Sequence, residues 1–206
     1  GKLDGNVSMI GAVGDDPYGK ELIRSLTSAG VDTSGIEVCR DTPTGQAYIA
    51  LDSSGENSII VIPGANQSVT PELIQKHMAL VDSCDYILTQ FEIPLDTVRY
   101  VKDLALQKAK RLIVDPAPAV PDLEMDFWEG VSIVKPNETE LALLTGQKMS
   151  SREDYIEGAR SLIGKGAGTV VLTLGKTGCI AVTPEKADFY PADVVKTVDT
   201  TAAGDS

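Results

Sequence analysis

The residues of this chain best suited to chemistry are its last eight, Asp199-Thr200-Thr201-Ala202-Ala203-Gly204-Asp205-Ser206. Ala202, Ala203 and Gly204 are too small to block a close backbone approach. A turn of that kind, where it opens a helix, points unpaired N–H groups at an incoming anion. Asp205 sits one step inside the cradle. A carboxylate beside an anion site costs free energy, and proteins tolerate it where a base must stand next to a phosphate. The same string also fits a plain strand–turn–helix junction, with Asp199 or Thr200 as N-cap and Asp205 as an ordinary first-turn acid.

Other candidates are scattered along the chain. Asn137-Glu138-Thr139-Glu140 follows a strand-like run and opens a helical one, so Asn137 and Glu140 have the spacing of a capping box, an account complete in itself. Glu92 ends a strand-like run, where parallel sheets place ligand sites, and equally fits a solvated strand-end acid. Asn66, after Gly64-Ala65, fits a turn. Gly175-Lys176-Thr177 imitates a Walker loop, but the required earlier glycine is Val170, and the following Cys179-Ile180-Ala181-Val182 reads as strand where that loop needs a helix. Thr173, Leu174, Gly175, Lys176, Thr177 and Gly178 therefore read as a tight turn between two strands. Gly11-Ala12-Val13-Gly14-Asp15-Asp16 lacks dinucleotide-loop spacing and reads as a strand-to-helix turn with acidic capping. His77 is the only histidine, which argues against a Ser-His-Asp triad and a multi-histidine metal site.

These residues need a scaffold, and 206 residues with 42% hydrophobic content can supply one substantial core. Strand and helix patterns alternate: strand Val7–Val13, helix Tyr18–Ala29 with Leu22, Ile23 and Leu26 on one face, and a helix opened by Thr70-Pro71. Strand Tyr86–Phe91, helix Leu95–Lys110, strand Arg111–Asp115 and strand Ser132–Lys135 follow. A helix from Asn137, a helix Ser151–Lys165, a strand Thr169–Leu174 and a strand Asp193–Val198 complete the series. This alternation predicts an α/β fold whose mostly parallel sheet is covered on both faces. The segment 44–63 breaks the rhythm and predicts a β-hairpin, Thr44–Leu51 and Ser58–Ile62 around a turn at 53–57. A hairpin cannot cover its own apolar face, so it packs on the sheet, dimerises or closes over a ligand.

The net charge of -12 argues against a nucleic-acid partner and leaves any bound nucleotide dependent on backbone amides and a divalent cation. Three widely spaced cysteines, Cys39, Cys84 and Cys179, point to a reducing, cytoplasmic setting. No apolar stretch has membrane-spanning length, and no signal-peptide pattern opens the chain. The sequons at Asn66 and Asn137 are then coincidental.

The terminal octet resembles the second signature of the ribokinase-like (PfkB-type) carbohydrate kinases, with Ala202 where many members have glycine, as in the ribokinase branch. Pro63-Gly64-Ala65-Asn66, Gln90-Phe91-Glu92, Asp115-Pro116-Ala117-Pro118-Ala119, Pro136-Asn137-Glu138-Thr139-Glu140 and Thr173-Leu174-Gly175 fall in that family's order. The resemblance implies a three-layer α/β/α ribokinase-like sandwich spanning 1–206 as one partial domain, with residues 44–63 as a β-hairpin lid over the sugar and dimer clasp. It implies ATP and Mg²⁺, with K⁺ in many ribokinases. Asp205 then takes the proton from the sugar hydroxyl, and the turn at Ala202, Ala203 and Gly204 forms the anion hole. Glu92, Asn66 and Asp205 meet the sugar. Asn137, Gly204 and the segment Thr173 to Gly178 meet the nucleotide. Asn137 and Glu140 order Mg²⁺ through its waters, and Asp199 and Thr201 line the K⁺ site. The family has more chain at each end, so the resemblance also implies that this chain is incomplete.

The expected reaction is transfer of the γ-phosphoryl of ATP to O5 of D-ribose. An Asp with a reference pKa of about 3.9 cannot deprotonate a sugar hydroxyl in advance, so Asp205 orients it and collects the proton late. A sister kinase for a fructose phosphate, a keto-deoxy sugar acid or adenosine is the alternative within the class. Outside it stands a catalytically silent sugar or nucleotide sensor.

Overall fold

The computed structural model describes residues 1–51, 57–121, 123–124 and 126–193. They fall into two compact units, Gly1–Cys84 with Glu92–Val101, and Asp85–Phe91 with the described residues from Lys102 onward.

In the first unit β1 (Val7–Gly14) and β2 (Val31–Cys39) run parallel, joined by α1 (Pro17–Ser28). Asp16 is the N-cap of α1 and Pro17 stands in the first turn, so the acidic pair does start a helix as expected. The apolar face expected on α1 is only weakly used. Leu22 is exposed and Gly19 is the one buried residue of the helix. β2 was not expected, because its alternation is interrupted by Ser34-Gly35 and carries charge on both sides of them. The hairpin is present as β3 (Gln46–Leu51) and β4 (Asn57–Ile62), antiparallel from Gln46↔Ile62 to Leu51↔Asn57. It pairs with no other strand among the described residues. A 3-10 turn, Gly64–Ser68, leads to α2 (Pro71–Lys76) and α3 (Met78–Ser83); Thr70 stands at the N-cap position of α2 with Pro71 in the first turn, and its side chain makes no cap hydrogen bond. Ala12, Val13, Ala65, Val69, Leu73, Ile74 and Val81 form the core. The buried Thr97 closes it by donating its hydroxyl to the Val69 carbonyl at 2.7 Å.

The second unit holds a six-stranded sheet in the order β10-β9-β8-β7-β6-β5. β5 (Tyr86–Thr89), β6 (Arg111–Val114), β7 (Ile133–Val134) and β8 (Thr169–Thr173) are parallel. β9 (Gly178–Val182) and β10 (Ala187–Pro191) continue antiparallel. The helices α4 (Leu95–Gln107), α5 (Glu138–Thr145) and α6 (Arg152–Gly164) lie between the parallel strands in the chain. Alternate residues Leu112, Val114, Val170, Leu172, Ile180 and Val182 are fully buried, with Leu141 and Leu162 of the helices. Each such aliphatic side chain contributes about 1.5–3 kcal/mol by leaving water. α6 is fixed at its start by a second capping box, Ser151 with Asp154. Arg152 stacks on the Phe189 ring at 4.5 Å, fastening β10 to that helix.

One expectation is corrected: the strand expected to end at Phe91 stops at Thr89. Among the described residues β5 pairs with β6 alone, and Tyr86 and Leu88, on one face of it, are 51% and 68% exposed. β10 was missed, since Pro191 and two aromatics in five residues gave no clean period. The strand expected over Asp193–Val198 lies outside the described residues beyond Asp193.

Candidate active site

Four parallel strands put their carboxyl ends on one edge of the second unit's sheet. Such edges are where open α/β sheets bind ligands. The main chain stays ordered past the strand ends. Asp115 N–H donates to Thr89 O at 2.9 Å, Phe91 N–H to Ala117 O at 3.0 Å, Lys135 N–H to Val114 O at 2.9 Å and Thr173 N–H to Pro136 O at 3.0 Å. The ladder ends with a parallel bridge between Asn137 and Thr173. Two of the expected nucleotide positions, Asn137 and Thr173, are therefore neighbours although 36 residues separate them in the chain.

Asn137 is the N-cap of α5, and the capping box is complete. Asn137 Oδ1 accepts the Glu140 amide at 2.8 Å, and Glu140 Oε2 accepts the Asn137 amide at 2.7 Å. Asn137 is exposed and Glu140 half-buried. The helix ends on Gly146 with φ 67°, a left-handed cap that favours glycine. The pair can also serve Mg²⁺. An ionised carboxylate has about four lone-pair sites, so accepting the Asn137 amide is compatible with also accepting from metal-bound water. Mg²⁺ keeps several waters and needs one or two protein carboxylates, so this donor set fits it. Among the described residues no three His, Cys, Asp or Glu side chains cluster as a dedicated metal cage.

The Gly175-Lys176-Thr177 segment is a 3-10 turn joining β8 to the antiparallel β9, as expected for a hairpin and not for a Walker loop. Leu174 N–H donates to Gly178 O at 2.8 Å and closes the turn. Gly175, Lys176 and Thr177 are exposed at the same edge as Asn137.

One feature of this edge escaped sequence reasoning. Lys135 Nζ lies 2.8 Å from Asp115 Oδ2, with the side chains 30% and 16% exposed. Each residue follows a strand directly, and β6 and β7 are neighbours, so strand-end register was the available signal. The pair is too sheltered to count as an ordinary surface bridge. Between α6 and α5, Tyr155 donates to Glu138 at 3.1 Å, and burial first, then this carboxylate, pushes its hydroxyl pKa up.

Glu92 and Asn66 lie in the first unit. Glu92 is exposed in the bend after β5. Asn66 is half-buried in the 3-10 turn after the hairpin, and a side chain on Gly45 would crowd its amide at 3.2 Å. Asp199, Thr201, Ala202, Ala203, Gly204 and Asp205 lie outside the described residues. No helix among the described residues is long and apolar enough to cross a membrane.

Against known proteins, the model of the pfkB family of carbohydrate kinases matches residues 1–206. A deoxyribokinase from Salmonella typhi is 34% identical over 205 residues, 100% of this chain and 67% of the relative. A ribokinase from Haemophilus influenzae is 31% identical with the same coverage. Among solved structures, an Arabidopsis thaliana ribokinase complexed with ribose and ATP superposes with a TM-score of 0.90 at 28% identity, covering 99% of this chain and 67% of that one. The chain belongs to the pfkB family of carbohydrate kinases, and its fold is the ribokinase-like α/β/α sandwich with a small β-hairpin. It spans about two thirds of the length of the relatives it matches.

Proposed function

We propose that this chain transfers the γ-phosphoryl group of ATP to a hydroxyl of a pentose, with D-ribose the first acceptor and ribose 5-phosphate the product. The observation that carries this is the carboxyl edge of the sheet. Asn137, Glu140 and the Thr173–Gly178 turn stand there together, inside a family match that covers the whole chain. The Arabidopsis relative's complex with ribose and ATP supports both ligands.

Asn137 and the 173–178 turn hold the nucleotide in this reading. Asp205 orients the acceptor hydroxyl and takes its proton as the phosphoryl group departs, while the amides at Ala203 and Gly204 stabilise the transferred charge. A donor of that kind contributes about 3 kcal/mol to the transition state. Glu140 and Asn137 would hold Mg²⁺ through its waters, and the ion would supply charge neutralisation at the phosphates. Asp199 and Thr201 would line a K⁺ site. The β3–β4 hairpin covers the sugar beside Asn66 and Glu92, and in a homodimer would meet its counterpart. The setting is cytoplasmic.

The Salmonella relative favours a second acceptor, 2-deoxy-D-ribose. Deciding between them takes one assay: ATP consumption by the full-length protein with D-ribose, 2-deoxy-D-ribose, fructose 6-phosphate and adenosine, with and without K⁺. Turnover with ribose enhanced by K⁺ is expected. A preference for deoxyribose, fructose 6-phosphate or adenosine moves the specificity. ATP binding without turnover on any acceptor refutes the kinase reading in favour of a sensor.

A further inference from the structure

Asp16 does more than start a helix. Its Oδ1 accepts the Gly19 amide at 2.8 Å, which is the cap, and also the Thr44 hydroxyl at 2.7 Å. Its Oδ2 accepts the Thr44 amide at 2.8 Å. Thr44 is almost fully buried, and its Oγ1 in turn accepts the Gly14 amide at 2.9 Å. A helix cap needs only the first of these bonds. The others tie the β1–α1 turn to a residue 28 positions away, two before β3 begins. The fit is close: a Cβ on Gly19 would stand 2.3 Å from the Gly14 carbonyl oxygen and 3.0 Å from Thr44 Oγ1.

The other root of the hairpin meets the same spot. The fully buried Ala65 donates its amide to Pro43 O at 2.8 Å. Gly64 has φ 50°, and a Cβ there would lie 2.4 Å from that same Pro43 oxygen.

Between these roots the hairpin has little else to hold it. Its described apolar side chains are 42–65% exposed from Tyr48 and Ile49 through Ile62. An open cleft of about 390 Å³ separates Tyr18 and Leu22 of α1 from the start of β3. A strand of six residues spans about 20 Å at roughly 3.3 Å per residue, so a turn of about 10° at the root moves its far end by about 3 Å. Displacements of about 1 Å already cost activity where contacts must be exact in geometry.

We propose that Asp16 is a positioning residue: through Thr44 its carboxylate fixes the angle at which the β3–β4 hairpin stands, and so sets the affinity for the sugar. This rests on the reading of the hairpin as the sugar's cover. The test uses full-length protein with Thr44→Val, Thr44→Ser and Asp16→Asn. Thr44→Val removes the hydroxyl and leaves the Asp16 cap on Gly19, whereas Thr44→Ser keeps the hydroxyl.

The sugar KM is expected to rise about tenfold in Thr44→Val, with the ATP KM within about twofold of wild type, and Thr44→Ser is expected to restore it. Hydrogen exchange should quicken at the amides of Gln46–Ile49 and Ile59–Ile62 in Thr44→Val while Leu22–Leu26 stay protected. Asp16→Asn keeps an acceptor for the Gly19 amide and loses one facing Thr44, so it should quicken the same hairpin amides and leave α1 capped. Unchanged hairpin exchange in Thr44→Val overturns the proposal, as does faster exchange with an unmoved sugar KM. An equal rise in both KM values, or no restoration by serine, also overturns it, because either points to general damage. If wild-type protein turns over no sugar, the proposed function fails, and exchange alone then decides whether Asp16 anchors the hairpin.

Discussion

Glu140→Gln separates two roles that share one pair of residues. Glutamine keeps an acceptor oxygen at the place of Glu140 Oε2, 2.7 Å from the Asn137 amide, and leaves the reverse bond from the Glu140 amide untouched. Capping boxes accept Gln as well as Glu, so α5 should remain capped. At the cap the substitution removes a negative charge from the first turn of an eight-residue helix, about 0.3–1 kcal/mol through the helix dipole. In a domain of this size that lowers Tm by no more than about 2–4 °C. If the carboxylate also orients the waters of Mg²⁺, losing its charge should weaken the apparent Mg²⁺ affinity by about 10- to 100-fold, the usual effect of removing an outer-shell partner. The assay is ATP consumption by the full-length protein across a Mg²⁺ titration, with a thermal melt alongside. The expected result is a strongly shifted Mg²⁺ dependence on a nearly unchanged melt. A wild-type Mg²⁺ dependence refutes the metal role and leaves Glu140 a cap. A melt lowered by far more than 4 °C refutes the claim that the cap survives.

Asp205→Ala should lower turnover by about 10²- to 10⁴-fold while ATP affinity, followed by ligand titration, stays near wild type; equal losses in both would remove its assigned role. Lys135→Met leaves the sheltered Asp115 carboxylate without its partner at 2.8 Å and should cost about 1–3 kcal/mol in denaturant unfolding. Adding Asp115→Asn should recover part of that loss, and no recovery would show that the pair is not what holds the strand ends. The Asp16 carboxyl is held below its ordinary value of 3.8, first by the Thr44 amide and then by Gly19. Asp154 is held down likewise, first by the Ser150 amide and then by Ser151. Both therefore contribute stability that is full above about pH 4 and is lost as pH falls through their lowered values. Asp154→Asn should flatten the acid limb of an unfolding-versus-pH curve, and an unchanged limb would contradict this.

Much of the fold was legible in the chain because periodicity and punctuation are local. Val7–Val13, the capped starts at Asp16, Asn137 and Ser151, the proline start at Pro71, and the hairpin strands either side of 53–57 each carry their cause within a few residues. The Walker imitation at Gly175 could be rejected the same way, since Val170 and the strand-like Cys179–Val182 are near neighbours in sequence. β2 and β10 were lost where that local signal is weak. β2 is broken at Ser34-Gly35, and β10 ends in Pro191. At the candidate site the capping box of Asn137 and Glu140 was legible as types and spacing, and it forms as that spacing requires.

What the sequence could not state is which distant residues share a place. Asp115 and Lys135 are 20 residues apart and meet because β6 and β7 are neighbours, while Asp16 and Thr44 are 28 apart and meet because the root of the hairpin folds back on the start of α1. Burial is decided the same way. Leu88 lies in an apolar run typical of a core strand and is 68% exposed, because burial depends on what packs over its face of the sheet and not on its own type. Local sequence determines what each segment can become, since backbone sterics, caps and periodicity act over a few residues. Which side chains meet and which stay in water depends on long-range strand order and packing, and the tertiary structure alone decides that.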